Sequence, residues 1–157
     1  MKVSLTPHEL RLAAFSGVER RISAMEKQRQ GAHGFDRDDF WSLDIEGLAA
    51  EAAVAKALGR WYSPVVGHLD TNEGDVAPGV QVRSSKYAGA HLLLHKTDDD
   101  DHRFVLVTGA CGEYVIRGWC RGGLGKQEKF WRENNGRWAY WVPQNVLFPF
   151  TPKAEAA

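Results

Sequence analysis

Apolar and polar positions alternate with a helical period in the first third of the chain and with a strand period after it. Thr6-Pro7-His8-Glu9 supplies a hydroxyl for an N-cap, a proline at the first helical position and an acid in the first turn. A helix from there to about Arg29 places Leu10, Ala13, Ala14 and Val18 on one face. Gly31 to Asp39, with two glycines and mixed charge, breaks that pattern. A second helix runs from about Ser42 to Leu58. It is rich in alanine, the best helix former, and Gly59 stops it.

The period then changes. Gly74 to Ser85, His91 to His95, Phe104 to Thr108 and Tyr114 to Trp119 read as strands. Phe104-Val105-Leu106-Val107 and Tyr114-Val115-Ile116, linked through Gly109 and Gly112, have the look of an antiparallel hairpin. Trp138 to Val142 reads as a last strand and Pro143 to Leu147 as a short helical turn. Two helices followed by four or five strands and a small end piece predict an α/β (α+β) fold with a mixed β-sheet. The 157 residues fit one domain, taken as 1–150 with a polar tail over 151–157. A hydrophobic content of 43% against 25% charged residues is that of a globular chain, and six tryptophans with seven phenylalanines give its core bulk.

Formal net charge is zero, so a strongly basic nucleic-acid-binding domain is excluded, and any such contact needs a local patch. Basic residues do gather, at Arg11, Arg20, Arg21, Lys27 and Arg29, and again at Arg117, Arg121, Lys126, Lys129 and Arg132. Acid collects in Asp36–Asp39 and in Asp98–Asp101, the latter read as a solvated turn. Cys111 and Cys120 form no Cys-x-x-Cys pair and suit a reducing, cytoplasmic setting. The N-terminal residues show no signal peptide, and no run approaches the ~18 apolar residues of a membrane helix.

Candidate chemistry starts at Glu51. Leu48, Val54, Ala55 and Leu58 lie within about 60° of it on a helical wheel, whereas Glu46, Lys56 and Arg60 project from the opposite face. Gly47, one turn earlier on the same side, leaves room for another element to approach. A carboxylate facing a core must be paired, neutralised or bound to a cation, unless the helix is turned so that Glu51 reaches solvent. The second feature is Gly74-Asp75-Val76 followed by Val80-Gln81-Val82-Arg83-Ser84. On a strand Gln81 and Arg83 share one face and Val80 and Val82 the other. An acid, an amide and a cation together can grip a divalent metal and a phosphate, although an edge strand with polar residues facing water has the same pattern.

A helical Glu, then Asp, then Gln-x-Arg on a valine-lined strand resembles the PD-(D/E)XK, or restriction-endonuclease-like, nuclease superfamily. Glu46 to Ala55, Gly74-Asp75-Val76 and Gln81-Val82-Arg83-Ser84-Ser85 are similar to a group of small phage and prophage proteins of that superfamily, as are Phe104 to Val107 and Tyr114 to Trp119. The resemblance runs from about Ser42 to Val146. It implies a mixed sheet flanked by helices and Mg²⁺- or Mn²⁺-dependent hydrolysis of DNA. Asp75 would be the central metal ligand and Gln81 the second, with Glu51 holding the metal directly or through water. Arg83 stands where the superfamily usually has lysine. Its pKa above about 12 bars it from acting as a base, but it can orient water and stabilise charge. Lys86 is a substitute amine. Many enzymes of the superfamily act as dimers, though no residue here argues for a homodimer.

That reading carries a geometric requirement. Ala77-Pro78-Gly79 reads as a turn, and a tight two-residue hairpin would pair Asp75 with Val82 and put it on Val82's face. Sharing a site with Gln81 requires a bulge or a longer loop. The basic residues near the N-terminal helix and those of the loop with Arg121, Lys126 and Lys129 are the expected nucleic-acid contacts, and Trp131 and Trp138 are read as packing aromatics with base stacking as the alternative. His91 and His95 would stand roughly 13 Å apart on one strand face, too far to share a zinc ion, and His68 with Asp70 reads as an ordinary loop pair. Gly122-Gly123-Leu124-Gly125-Lys126 lacks the strand and spacing of a P-loop. The expected function is a small DNA nuclease. Its rivals are a catalytically weakened nucleic-acid-binding module of the same fold and an interaction protein with no nucleic-acid role.

Overall fold

The computed structural model describes residues 1–26, 40–60, 62–64, 74–134 and 136–152. The break in helical pattern expected at Gly31 to Asp39, the end of the first helix at Arg29, and the pair His68 and Asp70 lie outside them, as do His33 and the last five residues of the tail. Two long helices, α1 (Pro7–Glu26) and α2 (Phe40–Ala57), precede most of the strands. Those are β1 (Lys2–Ser4), β2 (Val80–Ser85), β3 (Leu92–Leu94), β4 (Arg103–Ala110), β5 (Glu113–Arg121), β6 (Trp131–Asn134) and β7 (Arg137–Val142). A single helical turn, α3 (Gly122–Gly125), follows β5, and short 3-10 turns cover Glu128–Phe130 and Gln144–Val146. The fold is α+β.

The helix ends follow their sequence signals. Thr6 Oγ1 accepts the Glu9 N–H at 3.3 Å and Glu9 Oε2 accepts the Thr6 N–H at 2.6 Å, a capping box around Pro7. At the end of α2, the Gly59 N–H reaches Lys56 O at 3.1 Å and the Arg60 N–H reaches Ala55 O at 2.9 Å. Gly59 has φ +64, so a Schellman cap closes the helix where the glycine predicts.

The strands form two sheets, one of them the mixed sheet expected. One is four-stranded and mixed, in the order β1-β5-β4-β2, with β2 parallel to β4 and the other pairs antiparallel. The other is three-stranded and antiparallel, in the order β3-β7-β6. The β4–β5 hairpin is the one expected from sequence, and its turn places Cys111 at φ 55 and Gly112 at φ 89. Strand β4 is buried on both faces because its two sides serve two cores. Val105 and Val107 meet Leu48, Ala49, Ala53 and Val54 of α2, together with Val3, Tyr114 and Ile116. Phe104 and Leu106 meet Leu92, Leu94 and Val142 of the second sheet. The molecule is therefore layered helices, mixed sheet, small sheet. Helices cover only one face of the mixed sheet, because the other is taken by β3-β7-β6.

α1 and α2 pack antiparallel, with Glu9 against Lys56 at one end and Arg21 against Asp44 at the other. A small residue sets their closeness. A Cβ on Gly17 would stand 2.6 Å from Ile45 Cα, so only glycine admits the contact. The buried line on α1 is Ala13, Ser16, Gly17 and Arg21, rotated from the expected face so that Val18 is only half-buried. At Gly47, where close approach was expected, a Cβ would meet nothing within 4 Å. Among the described residues no helix is long and apolar enough to cross a membrane.

Candidate active site at the edge of the mixed sheet

Strand β2 is an edge strand, and beside it α2, the loop before β2 and the second sheet enclose a cleft of about 430 Å³. Glu51 and Gly47 line it from α2, Arg20 and Arg21 from α1, Asp75 from the loop, and Arg83 and Ser84 from β2. His91, Leu93 and Arg137 line it from the side of the second sheet. Gly47 keeps the wall in front of Glu51 free of a side chain.

Asp75 reaches the cleft from the turn that leads into β2. Pro78 and Gly79 form the tight turn, with Ala77 bridged to Val80. Instead of pairing squarely with Val82, the Asp75 N–H donates to Val80 O at 2.8 Å, and its Oδ2 accepts the Val82 N–H at 2.6 Å. The side chain thus takes the place of a backbone carbonyl along the exposed edge of β2. Gly74 makes this possible. It has φ +75, and a Cβ there would lie 2.2 Å from Ala77 O.

Glu51 is 6% exposed, which rules out the solvent-facing rotation of α2. Arg20 Nη1 donates to its Oε1 at 3.1 Å, and the Tyr62 hydroxyl donates to its Oε2 at 3.0 Å. Burial raises the Glu51 pKa, Arg20 opposes the rise and Asp75 adds to it, leaving the carboxyl pushed up to about 7. Burial also raises Asp75, against the pull of the Val82 N–H, Arg83 and Arg20. The two carboxyls are electrostatic neighbours that share Arg20 as a counter-charge.

Arg83 donates from Nη2 to Asp98 Oδ1 at 3.1 Å, and its guanidinium carbon sits 5.1 Å from the centre of the Phe104 ring. Its Nε is buried with no hydrogen-bond partner among the described residues. Asp98 is therefore an anchor for Arg83, and its Oδ2 also accepts the His95 N–H at 2.9 Å. Asp100 of the same acidic run pairs with Lys126 at 2.5 Å. The run expected to be a solvated turn is in part an ion-pairing loop.

Of the residues singled out from sequence, the fold brings Glu51, Asp75 and Arg83 into one cleft. Gln81 is not among the residues lining it. It shares a sheet face with Arg83, but the cleft runs along Val82 to Ser84 and does not extend back to it. Lys86 is exposed, 5.3 Å above the Tyr87 ring, and does not line the cleft. Lys126 is held by Asp98 O at 2.6 Å as well as by Asp100, while Arg121 and Lys129 are exposed; none of the three lines the cleft. Sequence reasoning named Arg20 only as one of a basic group, not as the partner of Glu51, and missed the placement of Tyr62, Asp98 and Arg137, whose roles arise only from tertiary register.

Comparison with protein-family models, curated proteins and solved structures finds no match.

Among the described residues no three His, Cys, Asp or Glu side chains gather as a metal-binding group. A smaller donor set suffices for Mg²⁺, which keeps several waters and is commonly bound by one or two carboxylates plus substrate phosphate. Glu51 and Asp75, each raised by burial in one cleft, meet that requirement.

Proposed function

We propose that the cleft hydrolyses phosphodiester bonds in DNA with the aid of Mg²⁺ or Mn²⁺, in the manner of the PD-(D/E)XK nucleases that the sequence resembles. One observation carries this reading: the buried Glu51 and half-buried Asp75, both of raised pKa, face a cleft to which Arg20, Arg21, Arg83 and Arg137 contribute four cations against one further acid, Asp44. Acids that repel each other favour a bound cation, and arginines favour a phosphate beside it.

Asp75 and Glu51 would hold the metal, with water completing the set in place of Gln81. A divalent ion bound there supplies Lewis-acid polarisation of the phosphoryl oxygen and a more acidic water. Arg83, fixed by Asp98 and the Phe104 ring, neutralises charge on the phosphoryl oxygens and takes no proton. Arg20 exchanges part of its contact with Glu51 for the phosphate. Both cysteines are free, which supports a reducing, cytoplasmic setting. A homodimer draws no support from any described residue.

The rival reading is a binding module of the same fold. The Arg20–Glu51 ion pair favours it, since a carboxylate already neutralised from within has less need of a metal. A panel of single-stranded, duplex and branched DNA with Mn²⁺, run with wild type, Asp75→Ala and an EDTA control, separates the two. Metal-dependent cutting that the substitution removes supports the nuclease. Salt-sensitive binding without cutting by the wild type supports the module.

A further inference from the structure

The second sheet carries an aromatic surface that the cleft does not use. On the β6–β7 hairpin Trp131 stands directly opposite Tyr140, and Glu133 opposite Trp138, so all four side chains share one face. Trp131 and Trp138 stack with ring centres 5.8 Å apart at 26°, and Tyr140 tilts against Trp131 at 4.7 Å. Lys96 places its ammonium 4.4 Å from the Trp131 ring centre, and Lys129 lies 4.9 Å over Phe130 just before β6. The inner part of this face belongs to a core, where Tyr140 packs against the cluster of Leu92, Leu94 and Val142. The outer part does not. Trp138 is 60% exposed, although no side chain is costlier to leave in water.

Two observations identify what fits there. A cation sits on the stack itself, the Lys96 ammonium over Trp131, while Arg132 and Arg137 alternate to the other side of the hairpin. The hairpin also joins this surface to the cleft. Neighbouring residues of a strand point to opposite sides, so Arg137 lines the cleft while Trp138 stands on the other side of the same hairpin tip. A polyanion crossing the tip passes from one to the other. A stacking face takes a base only from an unstacked strand, since a duplex offers base edges in its grooves and no ring faces.

The geometry points to the Trp138–Trp131 stack, with Lys96, as a base-stacking platform for single-stranded nucleic acid entering or leaving the cleft. This deepens the proposed function by naming the strand state of the substrate, and it rests on that reading only for the link to cleavage.

The test is fluorescence anisotropy of labelled oligo(dT), and of the same label on a blunt duplex, in EDTA. Wild type, Trp138→Ala and Trp138→Phe are compared, with folding checked by circular dichroism. The wild type should bind oligo(dT) more tightly than duplex. Trp138→Ala should weaken oligo(dT) binding by about 5- to 150-fold, the range implied by losing one stacked base, and Trp138→Phe should recover part of it. Unchanged affinity in Trp138→Ala overturns the inference, as does a wild type that binds no oligo(dT). Loss of self-association in Trp138→Ala with oligo(dT) binding intact also overturns it and makes the surface a contact between copies. Cleavage in Mn²⁺ is scored on the same proteins. Trp138-dependent binding without cutting would leave the platform standing and remove the nuclease, and cutting with Trp138-independent binding would do the reverse.

Discussion

Helix α2 carries two glutamates that end in different surroundings. Glu46, toward its start, accepts the Cys111 N–H at 3.1 Å and the Tyr114 hydroxyl at 2.6 Å. Both donors are neutral and both belong to the β4–β5 hairpin, so Glu46 ties the helix to a turn whose Cys111 sits at positive φ. Glu51 lies on the opposite side of the helix, also with a tyrosine hydroxyl. Its other neighbours are an arginine and a second carboxyl, inside a cleft. Glu46 is satisfied by what surrounds it. Glu51 is held in a place where burial and Asp75 work against its charge, and a fold under no functional demand would gain by replacing it with an apolar residue. The contrast separates a carboxylate that fastens two elements from one kept for something that binds.

The largest effect should separate the two ends on activity. Asp75→Ala and Glu51→Ala should each lower metal-dependent cleavage by at least about 100-fold, since loss of even an outer-shell partner of a metal costs about 10- to 100-fold. Glu46→Ala should leave the rate per folded molecule within about 2-fold. Steady-state cleavage at matched folded concentration measures both. Equal losses at the two positions would erase the distinction.

Next comes the dependence of stability on pH. Glu51 titrates near 7 in the fold against an ordinary value of 4.5, so between those values the native state binds more protons than the unfolded chain. Its contribution is fully present at low pH and is lost as pH rises from about 4.5 to about 7, and Asp75 acts with the same sign. Thermal midpoints should fall across that window, and Glu51→Gln should flatten the fall. Saturating Mn²⁺ should stabilise most above pH 7, where the Glu51 carboxyl ionises. A midpoint that rises from pH 5 to pH 8 in the absence of metal would contradict this account of the cleft.

Glycine substitutions sharpen the comparison on the packing side. Gly17→Ala must push α1 from Ile45 and should cost about 1–3 kcal/mol in denaturant unfolding. Gly47→Ala enters open space and should cost nothing or gain up to about 1 kcal/mol of helix propensity. Glu46→Ala should fall between these two, at about 1–2 kcal/mol of stability from the lost bonds to Cys111 and Tyr114.

Elements with a long, regular pattern were legible in the sequence. α2, its glycine stop, the side on which Glu51 lies and the β4–β5 hairpin follow from periodicity and turn residues alone. β1 and β6 were not. Lys2–Ser4 is too short to show alternation, and Trp131–Asn134 is mostly exposed and polar. The split into two sheets was hidden because alternation along a strand does not say which sheet it joins. At the site, the sequence pointed to Glu51, Asp75 and Arg83, and Pro78-Gly79 marked the tight turn that brings Asp75 beside Val82; the bulge that would have joined Asp75 to Gln81 is not what forms. Gln81 was misplaced relative to the cleft because the cleft lies along Val82 to Ser84 of β2, and alternation, which puts Gln81 on the same face as Arg83, does not say how far along the strand a cleft reaches. Arg20 gave no local signal. Its position depends on how closely Gly17 lets α1 approach α2, which is a property of the pair of helices.

The central claim is that Asp75 and Glu51 form a divalent-cation site and Glu46 does not. Calorimetric titration with Mn²⁺ at pH 8 tests it most directly, comparing wild type, Asp75→Asn and Glu46→Gln, each confirmed folded. Saturable binding in wild type and Glu46→Gln that is lost in Asp75→Asn is the predicted result. A wild type that takes up no Mn²⁺, or an Asp75→Asn variant that binds it equally well, would contradict the account.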